Sequence, residues 1–184
     1  MRAYGDTLKK IAGALALHNI NILSADIYTW RDRTIVDIFR VTRPLDSIHP
    51  EETWEKVEKD LKKVFMGKLA LHYRLGQKVL RPFLPNHGRP SRPPRVNVDN
   101  ESSDFFTLIE VFAQDRIGLL YEITHSLFNL RLDIRIAKVS TKGDLITDTF
   151  YVRDLEGQKV EDKERIQEIT GALLHQLQWM PSAR

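Results

Sequence analysis

Apolar side chains recur along this chain with two periods, near 3.6 and near 2, and the periods follow one another in the same order twice. In the second half, Phe105 to Ala113 is dense in β-branched and aromatic residues and predicts a buried strand. From Ile117 to Asn129 the apolar residues Leu119, Leu120, Ile123 and Leu127, with Leu130 just beyond, fall at helical spacing. Asp133 to Thr141 returns to alternation through Ile134, Ile136 and Val139. Lys142-Gly143-Asp144 supplies a tight turn, Leu145 to Arg153 the returning strand, and Asp154 to Gly157 another turn. Asp162 to Leu177 closes the half as an amphipathic helix, with Ile166, Ile169, Leu173, Leu174 and Leu177 on one face. The order is β-α-β-β-α, and a last strand would complete a split βαβ sandwich.

The first half carries the same pattern. A helix is expected near Asp6 to Leu17, strands near Ile20 to Thr29 and Thr34 to Val41, and a helix over Pro50 to Phe65. In that last helix Trp54, Val57, Leu61, Val64 and Phe65 form the apolar stripe. Glu52–Lys56, Glu55–Lys59 and Glu58–Lys62 pair at i, i+4 on the wet side, so this charge run reads as a solvated face. Leu69 to Leu75 is the candidate closing strand.

The two halves are copies. At an offset of 112, Ile11 meets Ile123, Leu15 meets Leu127, Ile22 meets Ile134, Ala25 meets Ala137 and Thr29 meets Thr141. After one residue is gained or lost in a turn, Ile35 meets Ile146, Asp37 meets Asp148, Phe39 meets Phe150 and Val41 meets Val152. Unrelated stretches would not hold register on both sides of a single indel. The organisation expected is a first module over residues 1–78, a linker over 79–100 and a second module over 101–184. The linker reading rests on Arg81 to Arg95, which holds five of the eight prolines and four arginines.

The first copy is incomplete. Ala3-Tyr4-Gly5-Asp6 stands where the second copy has Asp115-Arg116-Ile117-Gly118, and the counterpart of the strand Phe105 to Ala113 falls before residue 1. The fold class is therefore α+β, two ferredoxin-like βαββαβ modules, the first lacking its N-terminal central strand. The expectation is a piece of a longer protein whose gap is filled by Arg95 to Val98 or by a second chain, because an open central position leaves backbone groups unpaired.

Composition narrows the function. The chain has 184 residues, 42% hydrophobic and 29% charged, with a net charge of only +3, which gives little support for a nucleic-acid surface. Absence of cysteine excludes disulfides, thiolate metal sites and cysteine nucleophiles, and fits a cytoplasmic location. The longest early stretch free of acidic and basic residues, Ile11 to Ala25, is too short and too polar to span a bilayer. No Asp-x-Asp, Gly-Ser or His-Asp sequence exists, and no two of His18, His49, His72, His87, His125 and His175 lie within four residues of each other. No catalytic residue and no metal site are expected. His125 and His175 read as helix-surface residues. Ser102-Ser103-Asp104 leads into a strand, with no base beside it. Tyr28 and Trp30 fall at a hairpin tip or strand end, where packing or an interface is expected rather than base stacking. Phe105, Phe106, Phe112, Phe150 and Tyr151 could form an RNA platform, but the flanking Lys/Arg-Gly-Phe signature is missing.

One loop carries chemistry. Gln114-Asp115-Arg116-Ile117-Gly118-Leu119-Leu120 joins a strand to a helix. Gly118 permits close backbone approach, and the helix N-terminus favours an anion such as a carboxylate. Asp115 would answer an ammonium or cap the helix.

DRIGLL after a strand, followed by ITHSLFNLRLDIRIAKVST and DTFYV, resembles an ACT domain. Pro93 to Leu127 and the first-copy run IAGALALHNINILSADIYTWRD resemble the C-terminal tandem ACT region of bifunctional PII uridylyltransferase/uridylyl-removing enzymes. The resemblance implies a regulatory module that senses an amino acid, glutamine in that family. Through catalytic domains absent from this chain, it would control uridylylation of the PII nitrogen-signalling protein. Any Mg²⁺ would belong to those domains, and no cofactor is expected here. The implied ligand site is Asp115, Arg116, Ile117, Gly118, Leu119 and Leu120, facing Asn19, Asn21, Ile22 and Leu23 of the first copy or Asp133 and Ile134 of the second. Ile117 stands where the family usually has proline. Modules would pair by their second strands, within the chain or in a homodimer. The alternative is a free-standing double-ACT protein that binds another amino acid or a partner.

Overall fold

The computed structural model describes residues 4–29, 35–44, 49–79 and 92–178. Trp30, His87 and most of the Pro/Arg-rich linker lie outside the described residues. The elements run α1 (Tyr4–Leu17), β1 (Ile22–Thr29), β2 (Ile35–Val41), α2 (Pro50–Phe65), α3 (Leu71–Val79), β3 (Arg95–Asp99), β4 (Thr107–Gln114), α4 (Leu119–Asn129), β5 (Asp133–Lys142), β6 (Leu145–Arg153) and α5 (Lys163–Gln178). Periodicity placed most of these to within a residue or two.

All six strands form one sheet in the order β2-β1-β5-β6-β4-β3. Within the second module β5, β6 and β4 have the split βαβ arrangement, and every neighbour is antiparallel. The modules meet by their second strands, as expected. β1 pairs with β5 through Ser24 opposite Ser140 and Ala25 opposite Val139. Continued by one residue, that register sets Asp26 opposite Lys138, positions that the offset of 112 makes equivalent. Above the sheet α1 packs against α4, and one apolar core runs from Leu8, Leu15 and Ile20 through Ile123 and Leu127 to Phe150, Ile169 and Leu173.

The helix-to-strand turns of the two modules are built alike. Asn19 and Arg131, equivalent by offset, are the two non-glycine residues with positive φ, at 57° and 56° among the described residues. Ile20 N donates to Leu15 O at 3.1 Å, and Leu132 N to Leu127 O at 3.0 Å. Both helices thus end in the left-handed cap that satisfies their last carbonyls.

Three expectations need correction. Leu69 to Leu75 does not close the first module as a strand. Residues from Leu71 form α3, because Leu71 and Leu75 at i, i+4 bury one helical stripe on α1 while His72, Tyr73 and Arg74 face water. Arg95 to Val98 does not fill the first module's gap. As β3 it pairs with β4 from Arg95 opposite Phe112 to Asp99 opposite Leu108, so part of the segment read as linker belongs to the second module's sheet. There it takes the outer position that a strand after α5 would have occupied. Consequently no described strand pairs with the outer side of β2, where Ile38 is 57% exposed. Trp54 is also 40% exposed, off the buried stripe that Val57 and Val64 make.

Candidate site at the loop between the modules

β4 ends at Gln114, and the chain crosses to α4 through Asp115 to Gly118. Gly118 is the N-cap residue of α4 with φ 86°, in the left-handed region where a side chain is strained. A Cβ there would lie 3.7 Å from Ala16 Cβ, an ordinary contact, so the backbone angle and not lack of space demands glycine. The loop is tied at its base, where Asp115 N donates to Asp144 O at 2.7 Å, and at its helix end, where Leu119 N donates to Arg116 O at 3.1 Å. Arg116 forks onto both carboxylate oxygens of Glu122, which stiffens the loop further. Ile117 projects outward, 42% exposed, whereas Leu119 and Leu120 are buried in the core.

Asp115 does not cap the helix, since no side-chain cap bond forms at α4. Its Oδ2 instead accepts a 2.7 Å hydrogen bond from Asn21 Nδ2 of the first module. Burial raises the Asp115 carboxyl above the usual carboxylate range, opposed by the Asn21 bond, the Arg116 backbone N–H and the Arg116 charge. Asn21 is fixed in turn, because its N–H donates to Thr42 Oγ1 at 2.9 Å. Asn19 forms the turn before it, Ile22 is buried and Leu23 half-buried.

Of the two facing edges offered by the sequence, the one meeting the Asp115 loop is therefore that of the first module. Asp133 and Ile134 lie at the other junction, where Ile134 Cδ1 would stand 3.2 Å from a Cβ on Gly5. Asp133 is buried with Oδ2 2.8 Å from Arg135 Nε, and its Oδ1 has no hydrogen-bond partner. The two junctions are quasi-equivalent, but the second has no Asp-Arg-x-Gly loop.

Sequence reasoning missed Asp148. It is 1% exposed on β6, its Oδ1 accepts from Ser140 N at 3.2 Å, and burial pushes its carboxyl up to about 7, with the Asp115 charge adding to the rise. Thr141 Oγ1, on the neighbouring strand, is buried without a partner. These groups make a desolvated polar patch between β1, β5 and the loop. Its signs in the sequence are an aspartate breaking the apolar alternation of β6 and its match to Asp37 in the first copy. His125 is also not a plain surface residue, for its ring stacks at 4.6 Å on His72. His175 is exposed as expected. Phe150 is fully buried and so unavailable for base stacking.

Among the described residues no group of three or more His, Asp or Glu converges on a metal position, and no helix is long and apolar enough to cross a membrane.

Residues 102–178 match the family model described as the ACR family N-terminal ACT domain. The chain is 40% identical over 166 residues to the bifunctional uridylyltransferase/uridylyl-removing enzyme of Rhodospirillum rubrum, an alignment covering 89% of this chain and 18% of that enzyme. It is 36% identical over 175 residues to the enzyme of the same name from Azospirillum brasilense, covering 91% of this chain and 18% of the relative. A Bradyrhizobium relative of that name is 36% identical over 171 residues, with 92% and 18% covered. The chain thus spans about a fifth of the length of the curated relatives it matches. No solved structure matches it.

Proposed function

We propose, from the match of residues 102–178 to the ACT-domain family model, that the whole chain is a tandem pair of ACT modules that binds a free amino acid, glutamine, at the Asp115 loop. In this reading binding controls the addition and removal of uridylyl groups on the PII protein by catalytic domains outside residues 1–184, which also hold any Mg²⁺. The protein acts in the cytoplasm. The observation that carries the reading is the bond from Asn21 to Asp115, which brings a strand end of one module against the strand-helix loop of the other.

The chemistry suits an amino acid. The ligand's carboxylate sits at the N-terminus of α4, where the helix dipole favours negative charge. Its ammonium takes the Asp115 carboxylate, whose raised pKa marks a group that gains from a cation. Asn21, released from Asp115, offers an amide donor and acceptor to the ligand side chain. Similarity over about 90% of the chain to enzymes named for uridylyl transfer and removal supports the regulatory assignment.

Thermal denaturation of the full chain against a panel of amino acids tests this. A ligand at a hundred times its dissociation constant stabilises by about 2.7 kcal/mol. Glutamine is expected to raise the melting temperature and the other amino acids to leave it in place. A shift by another amino acid would overturn the choice of glutamine, and no shift with any would overturn amino-acid sensing.

A further inference from the structure

On the helical side, away from the Asp115 loop, α1, α4 and the α2–α3 connection line an open cavity of about 460 Å³. Its walls differ in chemistry. One is apolar, made by Val64, Phe65, Met66, Leu69 and Leu71. The other is polar: it presents the ammonium groups of Lys9 and Lys10, the Tyr121 hydroxyl, and the rings of His72 and His125. The rings form a cluster, with His72 and His125 centroids 4.6 Å apart, Tyr121 and His125 5.4 Å apart, and Tyr121 Oη 3.4 Å from His72 Nδ1. His125 Nδ1 is buried without a hydrogen-bond partner.

Charge in the cavity is positive on balance. Lys9 and Lys10 share one carboxylate, Asp6, at 3.1 and 2.6 Å, so two ammonium groups face a single counter-charge. The negative end of α2 does not supply a second, because its closing carbonyls are occupied. Met66 N, Gly67 N and Lys68 N donate to Lys62 O, Val64 O and Lys63 O at 3.1, 3.1 and 2.8 Å. The lysines are also preorganised. Lys9 Nζ stands 3.4 Å over the Phe128 ring and Lys10 Nζ 5.5 Å from the Phe65 ring, so little side-chain entropy remains to be lost on binding.

We propose that this cavity is a second ligand site, independent of the Asp115 loop, for a small organic anion whose acidic head group is held by Lys9 and Lys10 and whose apolar body lies along Phe65, Leu69 and His72. Carboxylates and phosphate monoesters share the required chemistry. The site joins elements of both modules, so an occupant would brace α1 against α4.

The test is an NMR titration of the isotope-labelled full chain with phenyl phosphate, benzoate and, as the uncharged counterpart, benzyl alcohol, at matched ionic strength. Saturable shifts of the His72 and His125 ring resonances with either anion, and none with the alcohol, are expected, the tighter anion identifying the head group. Lys10→Gln is expected to weaken that binding about ten-fold or more. His72→Gln, at an exposed position that leaves the core untouched, is expected to weaken it less. Equal binding of the alcohol, no response from the rings, or undiminished affinity in a folded Lys10→Gln protein would each overturn the proposal.

Discussion

Asn21 and Asp115 are 94 positions apart in sequence, and a 2.7 Å hydrogen bond joins them across the line where the two modules meet. Removing the amide leaves a desolvated carboxylate with no side-chain donor, so Asn21→Ala should cost about 1–3 kcal/mol of unfolding free energy. The Asn21 bond also holds the Asp115 carboxyl down against burial, so in that variant its pKa should rise further, readable by carboxyl NMR titration. In urea denaturation the double variant with Asp115→Asn should lose less than the sum of the singles, since both report one interaction.

Gly118→Ala and Gly118→Val separate conformation from space. With φ at 86° and 3.7 Å to the nearest neighbour, the left-handed backbone sets the penalty, about 1–2 kcal/mol, and alanine should already incur most of it. A far larger loss for valine than for alanine in equilibrium denaturation would show that close packing governs the site instead. Both should abolish the glutamine-dependent rise in melting temperature.

Gly13 and Gly76 should respond to alanine with opposite signs. A Cβ at Gly13 would stand 2.5 Å from Leu71 Cδ2 and 2.7 Å from Tyr121 Cδ2, where α1, α3 and α4 converge, so overpacking should cost about 1–3 kcal/mol. At Gly76, inside α3, nothing lies within 4 Å, and Gly76→Ala should stabilise by up to about 1 kcal/mol through helix propensity. Calorimetry would read each kcal/mol as about 2–4 °C.

Asp148 makes stability depend on pH. Its folded pKa of about 7 lies above the ordinary value of 3.8, so between those values the native state retains a proton that the unfolded chain has released. Its contribution is complete below 3.8, declines as pH rises towards 7 and is flat beyond, a loss of at most about 4 kcal/mol. Asp148→Asn keeps an acceptor for Ser140 N and removes the titration. Its advantage over the wild-type protein should grow from pH 4 to pH 7 and then stop growing. A constant difference across that range in denaturation midpoints would rule the mechanism out.

Much of this architecture was legible because local signals agreed with the long-range one. α2 starts at Pro50 and ends at Phe65 as periodicity predicts, since its proline start, apolar stripe and Glu–Lys ladder coincide. The strand state of Arg95 to Val98 was legible but its partner was not, because so short a segment after a proline-rich run carries no signal for which sheet edge it meets, and it joins β4. α3 was misread because Leu71 and Leu75 suit either period in so short a segment. At the site, the ACT resemblance pointed to Asn21 through the strand edge that faces the loop. The His72–His125 stack was hidden because a contact across 53 positions leaves no local pattern, and Asp148 because its burial depends on how β5 and β6 pack rather than on neighbouring residues.

The register between β1 and β5 has a mechanical consequence. Equivalent strands run antiparallel about the Asp26–Lys138 position, so a dyad relates the two halves of the seam. Any slip of one module along that seam displaces the Asp115 loop from Asn21 and the start of α1 at Gly5 from Ile134 by the same amount and in the same sense. Under such a slip the two junctions loosen or tighten in concert. A molecule that grips one of them alone would be registered at the other, on the opposite side of the sheet seam, without any hinge.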